Sequence, residues 1–129
     1  MKKLIVASTS TIHGSGYLEY LLPTLTEHFK NCSEIIFIPF ARPSGITHDE
    51  YTAIAKKAFA KININVKGLH EFDDHIEALK STQGVFTGGG NTFLLVSQLY
   101  KYKVMLPLKE VVLNGTPYLG TSAGSNICG

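Results

Sequence analysis

Strand-length apolar runs alternate with helical stripes along the whole chain, and this alternation constrains the fold more than any other feature. "KLIVAS" (Lys3 to Ser8), "EIIFIPF" (Glu34 to Phe40), "INVKGL" (Ile64 to Leu69), "GVFT" (Gly84 to Thr87) and "PYLG" (Pro117 to Gly120) are short and apolar, as buried parallel strands are. Between them, apolar residues recur at helical spacing. Leu18, Leu21, Leu22, Leu25 and Phe29 form one stripe, with Pro23 marking a kink or a late start. Tyr51, Ile54, Ala55, Ala58, Phe59 and Ile62 form a second. Ahead of it, Thr47 and Glu50 have the spacing of a capping box, in which each side chain bonds the other residue's backbone amide. Asp73 or Asp74 caps a short helix carrying Ile76 and Leu79. A further helix carries Phe93, Leu94 and Leu99. Another has Pro107 in its first turn and Gly115 at its end.

Strands separated by helices imply right-handed crossovers and a mostly parallel sheet with helices on both faces, an α/β three-layer architecture. At 129 residues the chain reads as a single α/β domain over 1–129, with no repeat or linker. The net charge of +2, without a basic face, argues against nucleic acid as a partner. The apolar runs are far too short to span a membrane, and "LIVAS" is too short for a signal-peptide core. Cys32 and Cys128 lie far apart without metal spacing, as reduced thiols do.

In such sheets ligands bind beyond the carboxyl ends of the strands. The loops at 9–16, 40–47, 88–92 and 121–124 belong to that edge. The last contains Gly120-Thr121-Ser122-Ala123-Gly124, directly after the fifth strand. This is the pattern of a nucleophile elbow. A sharp turn exposes the serine oxygen, and flanking glycines avoid a clash between residues brought close together. Ser122 is the candidate nucleophile. The Ala123 amide and the start of a helix face the charge that develops on an attacked carbonyl. A small-residue turn packing a helix against the sheet would have the same composition.

"FTGGGNTF" (Phe86 to Phe93) is the second such stretch. Gly88, Gly89 and Gly90 let backbone approach a ligand and supply amide donors, with Asn91 or Thr92 capping the next helix. A second oxyanion donor in elbow hydrolases comes from a loop of this kind. A flexible turn or a phosphate site are the other readings. A serine nucleophile needs a base. Of His13, His28, His48, His70 and His75, only His13 lies in an edge loop of a strand expected to be central. No carboxylate stands out as its partner. Arg42 is also at this edge and could bind an anion, or be a solvated loop residue.

The chain resembles peptidase E, the α-aspartyl dipeptidase family of serine peptidases. The resemblance runs from "LIVASTST" through "FIPFA" and "HDEYT" to "GGGNTF" and "YLGTSAGSN", the last two being the most specific. It implies a class I glutamine amidotransferase-like, flavodoxin-like fold. It implies cytoplasmic hydrolysis of dipeptides with an N-terminal aspartate, with neither metal nor cofactor. Ser122 falls on the family's nucleophile, and Gly88, Gly89, Gly90 and Ala123 on its oxyanion region. Asn91 and Thr92 fall beside the substrate. The small peptide is the implied partner, and the family allows a homodimer.

Family members continue well past the nucleophile, and their catalytic histidine, acidic partner and aspartate-reading residues lie there. This chain ends at Gly129. The expectation is therefore a truncated, nucleophile-bearing part, with strand five as an exposed edge and a marginal or associating species. Two further readings are an inactive binding or dimerisation module with an anion-binding glycine loop, and a minimal esterase using His13 as base.

Overall fold

Five strands pair in parallel, in the order β1 (Leu4–Ala7), β5 (Tyr118–Thr121), β4 (Val85–Thr87), β2 (Glu34–Ile38) and β3 (Asn65–Gly68). This computed structural model describes residues 4–7, 22–41 and 45–121. Between the strands run α1 (Leu22–His28), α2 (His48–Ala60), α3 (His75–Ser81), α4 (Thr92–Lys101) and α5 (Met105–Leu113), with a 3-10 turn at Leu69–Glu71. Among the described residues, no helix is long and apolar enough to cross a membrane.

The strands are apolar on both sides because both sides are covered. Ile36, Ile38, Val85 and Tyr118 pack with Leu79, Leu95, Leu99 and Leu108 from α3, α4 and α5. Ile35, Phe37, Val66, Phe86 and Leu119 alternate with them and pack with Leu25, Phe29, Ala55 and Phe59 on the α1 and α2 side. Each fully buried valine, leucine, isoleucine or phenylalanine among them contributes about 1.5–3 kcal/mol. The three-layer, parallel α/β fold is thus the one the alternation implied.

Local signals set the helix ends. Pro23 is the second residue of α1, so it marks a late start rather than a kink. Thr47 and Glu50 form the capping box: the Glu50 amide donates to Thr47 Oγ1 (3.1 Å), and the Thr47 amide to Glu50 Oε1 (3.0 Å). Asp74, not Asp73, caps α3 by accepting from the Glu77 amide (3.0 Å). Pro107 lies in the first turn of α5, and Gly115 follows its cap at φ +99°. There the Thr116 amide reaches Val111 and the Gly115 amide reaches Val112, closing the helix end as a left-handed glycine permits.

Three expectations need correction. Strand five is not an edge: β5 lies between β1 and β4, hydrogen-bonded on both sides. The strand expected to be central, β1, is instead an end member of the described sheet. Phe93, counted in the apolar stripe of α4, is 89% exposed. It is the second residue of its helix, and the buried side of α4 runs through Leu95 and Leu99.

Candidate active site

The sheet order brings the two glycine-bearing motifs together. Thr87, the last residue of β4, is in register with Gly120, and Ala7 of β1 with Thr121. The chain therefore leaves β5 between the exits of β1 and β4. Ser122 is the next residue in sequence after Thr121. Ser122 and Ala123 themselves lie outside the described residues, as do His13 and Arg42.

The glycine loop is described in full. The Gly88 amide donates to the Ile38 carbonyl (3.1 Å), extending the ladder between β4 and β2. It is thus already used, and Gly88 serves the loop by lacking a side chain. A β-carbon there would lie 2.5 Å from Tyr51 Oη and 2.8 Å from Phe37 Cζ. Gly89 is buried, and its carbonyl accepts from the Tyr51 hydroxyl (3.0 Å). Gly90 is exposed at φ +139°, a conformation side chains rarely adopt. The Asn91 amide donates to the Ala41 carbonyl (3.0 Å), tying the loop to the segment after β2. The Gly89 and Gly90 amides have no partner among the described residues. Two donors at adjacent positions suit an oxyanion or another small anion.

Asn91 and Thr92 open α4. Asn91 Oδ1 accepts from the Leu94 amide (3.0 Å), so this side-chain oxygen works as the helix cap. Thr92 is the first helical residue and is half-buried.

Four histidines lie among the described residues, and two of them can be placed against β5. His28 Nε2 meets the carbonyl of Tyr118 (3.0 Å), the first residue of β5, about 10 Å below the strand's end at roughly 3.3 Å per residue. His70 follows β3, three strands from β5, or about 14 Å at 4.8 Å per strand. It bonds Asp49 (2.7 Å), and its ring lies 5.5 Å from that of His48. His75 packs edge-on against Tyr102.

Sequence reasoning missed Tyr51, which it placed only in the apolar stripe of α2. The signal was available: a buried tyrosine hydroxyl needs a partner, and this one lies near the start of a helix at the ligand edge.

The family model for peptidase family S51 matches residues 4–129. The chain belongs to this family. It is 42% identical over 129 residues to a probable alpha-aspartyl dipeptidase of Drosophila melanogaster, covering 98% of this chain and 52% of that protein. It is 40% identical over 130 residues to a peptidase E of Shewanella amazonensis, covering 98% and 54%. The chain thus spans about half the length of the curated relatives it matches. Among solved structures, a Listeria monocytogenes protein assigned to peptidase E superposes with a TM-score of 0.72 at 26% identity, covering 96% of this chain and 60% of that one. A peptidase from an acI-B1 Actinobacterium gives 0.75 at 17% identity, covering 96% and 55%, which speaks for the fold alone.

Proposed function

We propose that this S51 chain carries the nucleophile-bearing part of a serine-type dipeptidase that cleaves peptides with an N-terminal aspartate. In this reading the Ser122 oxygen attacks the peptide carbonyl, and the serine proton passes to a base. The Ala123 amide and the two open amides of Gly89 and Gly90 hold the oxyanion. The base comes from outside the four described histidines. Asn91 and Thr92 border the substrate, and the protein works in the cytoplasm.

One observation supports the reading. β5 ends between β1 and β4, and β4 opens at the same level into a loop with two amides that have no partner among the described residues. The name of the Drosophila relative supplies the choice of an aspartyl dipeptide.

The test is hydrolysis of Asp-Leu by the complete protein and by its Ser122→Ala variant. Leucine release that disappears in the variant is the expected result. Release that persists in Ser122→Ala removes the serine from the mechanism, and cleavage of Ala-Leu as fast as Asp-Leu removes the aspartate preference.

A further inference from the structure

The loop Gly88-Gly89-Gly90 is built from the residue type that holds its backbone direction least well. Its two ends are pinned by backbone. The Gly88 amide is bonded to Ile38 and the Asn91 amide to Ala41. The peptide between Gly89 and Gly90 has no backbone anchor among the described residues. What holds it is a side chain from another layer, the Tyr51 hydroxyl donating to the Gly89 carbonyl at 3.0 Å.

Tyr51 is well placed to be a rigid anchor. It is 3% exposed and sits in the first turn of the capped helix α2. Its ring meets Phe37 edge-on, with centroids 4.9 Å apart and planes at 86°. Its hydroxyl fills the space that a side chain at position 88 would need.

A planar trans peptide fixes the rest. The carbonyl of residue 89 and the amide of residue 90 point in opposite directions. With the Gly89 carbonyl drawn toward α2, the Gly90 amide is turned away from α2. We propose that Tyr51 is a positioning residue of this site: by holding the Gly89 carbonyl it sets the direction of the Gly90 amide as an oxyanion donor. The inference rests on the reading of Ser122 and the glycine loop given above. It adds a residue that touches no substrate.

The experiment pairs kinetics with backbone amide signals in the complete protein and its Tyr51→Phe variant. The variant keeps the ring and removes only the hydroxyl. Loss of one oxyanion donor lowers kcat by about 10²–10³. A donor that is retained but no longer held should lose less, roughly ten- to a hundredfold in kcat on Asp-Leu with KM little changed. The Gly89 and Gly90 amide resonances should shift while that of Leu95 in α4 stays in place. An unchanged kcat overturns the proposal. So does a fall in kcat with unmoved glycine amides, because Tyr51 would then act by another route.

If the parent protein releases no leucine, the dipeptidase reading fails separately, and the glycine amides alone decide the positioning role. If Tyr51→Phe does not fold, hydrogen exchange in the parent decides. A slow Gly88 amide beside a fast Gly90 amide is expected, and a protected Gly90 amide overturns the proposal.

Discussion

Thr87 and Gly120 face each other across two parallel strands, one residue before the glycine loop on one side and two before Ser122 on the other. This single register makes neighbours of two motifs separated by more than thirty positions. A slip of one residue would turn every side chain of β5 to the wrong face, so the buried Tyr118 and Leu119 protect the alignment.

Gly88→Ala should be damaging for a reason specific to Tyr51. The added methyl would need space held by Tyr51 Oη and Phe37 Cζ. Overpacking of this kind costs about 1–3 kcal/mol, read as a lower denaturant midpoint. Combined with Tyr51→Phe, part of that loss should be recovered. Strict additivity in the double-mutant cycle would show that the two residues do not share the space.

Thr87→Val should leave stability unchanged or raise it by about 1 kcal/mol. The Thr87 hydroxyl is buried without a hydrogen-bond partner among the described residues, and valine keeps the shape without the polar atom. A clear loss of stability in urea would mean that the hydroxyl has a partner after all.

Lys103→Gly should stabilise by about 1 kcal/mol or less in thermal or urea unfolding, because relief of roughly 1–2 kcal/mol at a left-handed residue outweighs the roughly 0.4–1 kcal/mol that glycine adds to unfolded-chain entropy. Lys103 is exposed at φ +59° just past α4, where the Val104 amide turns back to Leu99. A side chain there carries a steric penalty that glycine avoids. A destabilised variant would argue that the lysine side chain makes a compensating contact.

Phe93→Ser and Leu95→Ala should differ sharply although both lie on α4. Phe93 is exposed, so its loss should change stability by no more than about 0.5 kcal/mol. Leu95 is fully buried, so its truncation should cost about 2–5 kcal/mol. Similar unfolding midpoints for the two variants would contradict the assigned faces of this helix.

What could be read from the sequence divides along the range of the interactions. The capping box at Thr47 and Glu50 and the glycine end at Gly115 depend on residues a few positions apart and stand as expected, and of the two residues offered as cap of α4, Asn91 and Thr92, it is Asn91 that serves. The order of the strands depends on pairings across the whole chain. Nothing near Pro117–Gly120 says that this strand lies between β1 and β4, and the expectation of an exposed edge failed there. Phe93 misled because a periodic stripe does not say where the covered part of a helix begins. At the site, the glycines were visible as a motif. That the Gly88 amide is already bonded and that Tyr51 reaches the loop are contacts between distant segments. Ser122, Ala123, His13 and Arg42 lie outside the described residues.

The pairing of Leu4 with Tyr118 joins opposite ends of the described chain. Contacts so far apart in sequence close the longest loop and form slowly, whereas neighbouring units such as β2, α2 and β3 close short ones. The mouth from which β5 emerges is therefore the last part of the sheet to assemble. A chain caught partway through folding or synthesis would have its β2–α2–β3 unit packed before the strand ends beside the glycine loop come together. Pulse-labelled hydrogen exchange would register this as protection of the β2 and β3 amides ahead of those in β1 and β5.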